Sequence, residues 1–332
     1  MNDQKRIEIA IAGDSNYIVP LTVLLQSVFV NNKDVDITVN FLYLTSAVRE
    51  EDLIGMEAFI AEHGQKMRRL GVAEEQLGRI PDSRHSKSAS LRLLLPEFLP
   101  ETVSKILYLD GDIVVCGSLN PLWQTDISHS YVAAVKDPTI LFGREYCAKI
   151  DIPEKAQYFN SGVLLMNIDR MRRDNVQEAF FVYMQKYINL LIAVDQDVLN
   201  ATLYKAVTYL PPIYNYNYWL EKDVARQLFT KEEIKAVKHH PVIVHYIGPV
   251  KPWHCKSIHP KKALWWKYLK QTPYKDYRCR DNSLKNRLSY FLLLVFVKPF
   301  KPLLTVRNKQ RFGRLLPKGI RNRVKRTLFK AQ

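Results

Sequence analysis

The first sixty residues switch between two hydrophobic periods, and that alternation restricts the fold more than any other feature. Ile7, Ile9 and Ile11 alternate with Glu8 and Ala10 and run into Gly13-Asp14, a buried strand ending in a turn. Val19–Val30 reads as a helix, Ile37–Leu44 as a second strand and Val48–Glu62 as a second helix. A β-α-β-α beginning predicts an α/β domain with parallel strands covered by helices. Further on, Lys87–Phe98 reads as a helix, and Ile106–Leu109 and Ile113–Val115 as strands. Gly162–Ile168 reads as a strand, with Asp169 placed to cap the helix after it. Asp195–Leu203 reads as a helix and Val242–His245 as a short strand. No G-x-G-x-x-G follows the first strand and no P-loop occurs, which argues against a dinucleotide fold and an ATPase.

Charge divides the chain. Residues 278–332 hold sixteen Lys and Arg against one acid, Asp281, or +15 of the total +16. The other 277 residues carry 33 basic and 32 acidic groups and are nearly neutral. The chain therefore reads as one catalytic-type domain, 1–277, followed by a basic segment, 278–332, that seeks an anionic polymer or surface. Within that segment Leu288–Val297 is apolar apart from Ser289, and Ile320, Val324 and Leu328 recur every fourth residue. An apolar face beside a basic face is the pattern of an interfacial helix, so a membrane surface is favoured over nucleic acid. The apolar run Tyr290–Val297 has eight residues, and a span needs about 20. The start, Met1 to Arg6, lacks a signal-peptide apolar core, and the four cysteines show no CxxC spacing. Reduced thiols and cytoplasmic residence are expected. His254-Cys255 with His259 lacks the four paired ligands of a structural zinc site.

The strongest local signal is Tyr108-Leu109-Asp110-Gly111-Asp112-Ile113-Val114. Carboxylates at a strand end project into the crevice where open α/β sheets bind ligands. Two acids this close repel unless a cation lies between them, and their oxygens suit Mn²⁺ or Mg²⁺. The competing reading is a hairpin turn, for which Asp-Gly is a favoured pair. A second stretch, Pro241 to His254, ends a strand on His245 and passes through Gly248 to Lys251 and Trp253. His245 suits a carboxylate-carboxylate-imidazole site. Gly248 would let the backbone approach a phosphate, and Lys251 would supply counter-charge. Taken alone, the stretch is equally a core histidine and a solvated lysine.

Six stretches, in order, resemble glycosyltransferase family 8, above all its lipopolysaccharide core hexosyltransferases. They are Ala12–Tyr17, Ser90–Leu93, Leu107–Asp112, Tyr158–Val163, Asp195–Asp197 and His245–Trp253, within roughly residues 7 to 280. The resemblance implies a GT-A (nucleotide-diphospho-sugar transferase) fold, a UDP-glucose or UDP-galactose donor, Mn²⁺ and retention of anomeric configuration. It implies a lipid-linked saccharide acceptor, as in lipopolysaccharide or lipooligosaccharide core, and the membrane-seeking tail fits such an acceptor with peripheral attachment at the inner face of the cytoplasmic membrane.

By the same resemblance Asp110, Asp112 and His245 match the metal ligands, and Ala12, Asp14, Asn16 and Tyr17 the nucleoside cradle. Gly248 and Lys251 match the diphosphate contacts, while Arg92, Asn160, Asp195 and Gln196 match positions around the donor sugar. Asn160, Asp195 and Gln196 are thus the expected catalytic residues. Gly111, where relatives often carry Ala or Ile, departs from the pattern. His85 matches too loosely for a role. Singly, Asn160 reads as a turn residue, Asp195 and Asp197 as first-turn acids, Arg92 as solvated and Tyr17 as core. The rival to the enzyme is a non-catalytic polybasic protein binding membrane or nucleic acid through its tail.

Overall fold

The computed structural model describes residues 6–77, 90–138, 143–279 and 281–284. They fall in two compact units. Residues 252–258, 278–279 and 281–284 belong to the smaller, in which the Cys255 N–H donates to Asp281 Oδ1 at 2.5 Å. The larger unit, from residue 6 to 251 with 259–277, contains every element below.

Its strands among the described residues are β1 (Arg6–Ala12), β2 (Asp36–Leu44), β3 (Lys66–Val72), β4 (Lys105–Leu109), β5 (Ile113–Val115), β6 (Val132–Lys136), β7 (Phe159–Asn167), β8 (Val207–Tyr209) and β9 (Ile243–His245). Seven form one sheet in the order β3-β2-β1-β4-β7-β6-β8, while β5 and β9 pair separately. β3, β2, β1 and β4 run parallel, as the alternating beginning predicts. β7 runs antiparallel to both β4 and β6, so the sheet is mixed. Hydrophobic period marks a strand but carries no direction. The reversal is consequential, because it pairs Leu109, the last residue of β4, with Val163 in the middle of β7 and sets Gly162 beside Asp110.

The order turns back between β1 and β4, the kind of switch point at which open sheets bind ligands. The helix Ile18–Asn31, nearly all of it buried, returns from β1 and fixes β5. Ser27 Oγ accepts from the Val115 N–H at 2.9 Å, and Asn31 Nδ2 donates to the Val115 carbonyl at 3.2 Å.

Two local expectations are corrected and one competing reading is set aside. Asp169 does not cap the helix after β7; Asn167 does, accepting from the Arg170 N–H at 3.0 Å, and Asp169 sits in the first turn. Of Lys87–Phe98, residues 87–89 lie outside the described residues. The remainder is a 3-10 turn, Leu91–Leu94, and a short helix, Leu95–Phe98, with Pro96 at the junction unable to donate to a continuous ladder. Asp110-Gly111-Asp112 is not a hairpin, since it carries the chain from the large sheet to the small one. Residues 285–332, with both apolar patterns of the basic segment, lie outside the described residues. Among the described residues no helix is long and apolar enough to cross a membrane.

Candidate active site

Around the carboxyl ends of β1 and β4 the contacts below bring together Tyr17, Arg92, Asp110, Asp112, Asn160, Asp195, Gln196, His245 and Lys251. Ala12 ends β1, and Asp14 caps the 3-10 turn Ser15–Tyr17, accepting from the Asn16 N–H at 2.8 Å. Asn16 is exposed and Tyr17 half-buried. The Tyr17 ring lies over Gly111, where a Cβ would come within 2.9 Å of Tyr17 Cδ1. That explains the departure at residue 111, for a side chain there would displace the ring. Burial, then the Asp112 charge, raises the Tyr17 phenol, so the ring stays neutral beside the acids.

Asp110, Asp112 and His245 converge, each offering a ligand atom within 4.8 Å of the others. His245 Nε2 is 3.2 Å from Asp112 Oδ1 and 3.6 Å from Asp110 Oδ2. His245 Nδ1 lies 3.0 Å from Asn215 Oδ1, and Asn215 Nδ2 donates to Asn160 Oδ1 at 2.9 Å. Asn215 therefore presents an acceptor to the ring, which puts a proton on Nδ1 and leaves Nε2 as the atom that faces the carboxylates. Three electron-rich donors aimed at one point suit a divalent cation of the oxygen- and imidazole-binding kind. Gly162 leaves the room they need: a Cβ there would sit 2.2 Å from His245 Cε1 and 2.7 Å from Asp110 Oδ2.

Lys251 forms a close ion pair with Asp112 and donates to the Tyr246 carbonyl at 3.1 Å. Burial alone would raise the Asp112 carboxyl, but Lys251 and His245 outweigh it and hold the group well below the usual carboxylate range. Gly248, at φ +91°, takes the left-handed conformation that glycine tolerates, with open space beyond its Cα.

Arg92 is buried, not solvated, and joins this cluster to the next. It donates to Asp110 Oδ1 at 2.7 Å and to the Ser161 carbonyl at 2.6 Å, and pairs with Asp195 at 3.1 Å. Burial would weaken its basicity, but Asp110 and Asp195 overcome that and keep it charged. Asp195, raised by burial and partly offset by Arg92, also accepts from Ser161 Oγ at 2.9 Å. Gln196 accepts from the Ser161 N–H at 3.0 Å and donates to Asp137 Oδ2 at 3.3 Å, while Asn160 donates to the same oxygen at 3.0 Å. Behind them the buried Asp197 accepts from the Tyr146 and Tyr158 hydroxyls at 2.6 and 2.5 Å and from the Ala193 N–H at 2.9 Å. That clamp fixes the start of the helix Val194–Leu203, which carries Asp195 and Gln196.

Sequence reasoning missed Asp137 and Asn215. Asp137 follows the apolar strand β6 just as Asp110 follows β4, a signal that was present. Asn215 lies in Tyr214–Trp219, where Tyr and Asn alternate with the period of a strand, yet the structure places it between two 3-10 turns, Pro212–Tyr214 and Tyr218–Glu221.

A mixed sheet with an acidic pair at its switch point and an imidazole facing them fits a GT-A-like transferase. The chain belongs to glycosyl transferase family 8, whose model matches residues 8–257. It is a glycosyltransferase with the GT-A-like fold of that class. General stress protein A of Bacillus subtilis is 25% identical over 82% of this chain and 96% of its own. The lipopolysaccharide 1,2-glucosyltransferase of Escherichia coli K12 is 25% identical over 85% and 82%. The crystal structure of the galactosyltransferase LgtC with donor and acceptor sugar analogues superposes with a TM-score of 0.71 at 27% identity, covering 80% of this chain and 96% of that one.

Proposed function

We propose that the protein is a retaining hexosyltransferase that moves glucose or galactose from a UDP-sugar to a lipopolysaccharide-type core saccharide. The observation that carries this reading is the convergence of Asp110, Asp112 and His245 at the sheet's switch point, in a chain of this family. Relatives named as a lipopolysaccharide glucosyltransferase and a galactosyltransferase support the hexose and the acceptor class.

Asp110, Asp112 and His245 would hold Mn²⁺ or Mg²⁺, which when bound supplies Lewis acidity to the departing diphosphate. Lys251 and the backbone around Gly248 bring positive charge and N–H groups to the same phosphates. Ala12, Asp14, Asn16 and Tyr17 form the nucleoside cradle, the Tyr17 ring offering a face to the base.

Retention ordinarily calls for an enzyme nucleophile opposite the leaving group. Here the Gln196 carbonyl already accepts from Ser161, and Asp195 is committed to Arg92 and Ser161. These bonds favour front-face attack, in which the acceptor hydroxyl passes its proton to a phosphate oxygen of UDP. Gln196 and Asn160 then stabilise the sugar's positive charge. Transfer assays with UDP-glucose and UDP-galactose against truncated core saccharides, with and without Mn²⁺, test the reading. A β-linked product by proton NMR overturns the retaining class.

Residues 278–332 we assign to an anionic membrane surface, at about 1 kcal/mol for each basic group near it. Deleting 282–332 is expected to release the protein from anionic liposomes while sparing a soluble acceptor. Continued pelleting would place the anchor elsewhere.

A further inference from the structure

The near neutrality of residues 1–277 conceals a division. Residues 1–200 hold 27 acidic and 20 basic groups, whereas residues 201–277 hold five acidic and 13 basic. From Ile234 to Lys275 the chain carries nine lysines, no arginine and no acid. Of those lysines the proposed chemistry uses Lys251 alone.

The fold collects much of this excess on two helices of the larger unit, Lys231–His239 and Lys262–Leu269. A capping box between Thr230 and Glu233 fixes the start of the first. Lys231, Lys235 and Lys238, four and three residues apart, lie exposed along one of its faces. In the second, Trp265, Tyr268 and Leu269 are buried, so Ala263, Trp266, Lys267 and the capping Lys270 fall on the outer face, Trp266 half-buried. Lys261 Nζ donates to the Lys238 carbonyl at 2.9 Å and ties the end of the first helix to the start of the second. The elements behind them bring little opposing charge. The second helix packs on Ile18–Asn31, which contains no acid, and Glu221, beside the first, accepts from the Tyr216 hydroxyl.

The residue types narrow the partner. Arginine forks onto individual phosphates, whereas lysine is a hydrated point charge that suits a diffuse anionic field. Lysine stems lie along apolar surface with their heads in water, and tryptophan favours the boundary between lipid headgroups and hydrocarbon. Lysines around a half-buried tryptophan, without arginine, therefore fit an anionic bilayer better than a nucleic acid. The first helix also leads through His240–Val242 into β9, which ends on His245, so this face is joined to the site by a short run of chain.

We infer that the helices Lys231–His239 and Lys262–Leu269 form a docking surface for an anionic lipid bilayer, separate from residues 278–332. The inference rests on the membrane reading above for its partner and adds a second contact, on the catalytic unit itself. A tail alone keeps the protein near lipid; a rigid face also sets how the site stands on it.

The test uses the full-length protein with vesicles of phosphatidylglycerol and phosphatidylcholine, and with phosphatidylcholine alone. Amine-reactive footprinting is expected to show Lys235, Lys238, Lys267 and Lys270 shielded several-fold on the anionic vesicles only. Lys149 and Lys155, exposed elsewhere, should label as they do in solution. The variant Lys235→Gln/Lys238→Gln/Lys267→Gln is expected to lose about a hundredfold in vesicle affinity, at about fivefold for each charge. Its melting temperature and its transfer to a soluble acceptor should match the parent's. If the parent binds anionic vesicles with these four lysines unshielded, or the variant binds as tightly as the parent, the face is overturned and the tail remains the anchor. A parent that binds no anionic vesicle overturns the face and the membrane reading together. Shielding of the same lysines by single-stranded RNA and not by vesicles overturns the choice of a bilayer.

Discussion

Asp112 faces Lys251 as a buried ion pair, whereas Asn160, on the large sheet, and Gln196, on the helix Val194–Leu203, rest as amides on one shared carboxylate, Asp137. The first arrangement contains a lysine that must change partner if it is to serve a diphosphate. The second has its amide groups already engaged. The half that handles charge is therefore built to rearrange on binding, and the half that faces the reacting sugar is built beforehand. Preorganisation matters most where charge develops in the transition state, and pairing matters most where like charges meet before any ligand arrives.

The hardest test of this contrast is Asp112→Asn, which leaves an amide with one oxygen and no charge. Turnover is expected to fall about a thousandfold, as several kcal/mol of charge stabilisation disappear. Mn²⁺ binding by calorimetry should be lost and the fold kept; near-parental activity in Mn²⁺ would remove the metal assignment. Gln196→Ala should lower kcat roughly a hundredfold, the scale of one lost preorganised group. KM for the UDP-sugar should stay near the parent's, and a rise in KM with kcat preserved would make the residue part of the binding half instead.

Asn215 touches both halves, His245 on one side and Asn160 on the other. Asn215→Ala is expected to weaken Mn²⁺ binding about tenfold, the lower end of what loss of a ligand's orienting partner costs. Lys251→Met should separate the two roles of that lysine. The donor KM rises, while Mn²⁺ binding without donor becomes a few-fold tighter because nothing competes for Asp112. If metal binding weakens instead, the ion pair supports the site and does not rival its ligand.

The smallest effect concerns His259, which stands 4.7 Å, centre to centre, from the ring of Tyr246, the residue after His245. Burial, with the Lys261 ammonium second, pushes its imidazole down to about 4. A base with a depressed folded-state value stabilises the fold above the ordinary value, near 6.5, and loses that contribution as pH falls from there toward 4. Melting temperature should drop by several degrees over that window. His259→Gln should flatten the drop, and an unchanged profile would assign the acid sensitivity to other groups.

How much was legible in advance followed from where each residue's partners lie in the chain. Asp110, Asp112 and His245 stand at the ends of apolar strands, and the strands announce themselves by period. The parallel beginning through β1, β2 and β4 was readable for the same reason. The antiparallel course of β7 was not, and with it went the placing of Ser161 and Gly162 beside Asp110. Arg92 read alone as a solvated helix residue. Its burial depends on carboxylates 18 and 103 positions away, through contacts no local pattern encodes. The cap at Asn167 was misplaced by two residues because Asp and Asn compete for that role on nearly equal terms.

One consequence of the two-sheet arrangement is mechanical. Asp110 follows a strand of the large sheet, Asp112 precedes one of the small sheet that also holds His245, and among the described residues no ladder joins the two sheets. An ion gripping all three side chains would act as a rivet between two sheets held together otherwise by packing and by the hydrogen bonds of the helix Ile18–Asn31. Occupied to a hundred times its dissociation constant, such a rivet adds about 2.7 kcal/mol against unfolding. Much of that should be felt as slower amide exchange in Ile113–Val115 and Ile243–His245, so that loading the site stiffens the floor on which the donor is to lie.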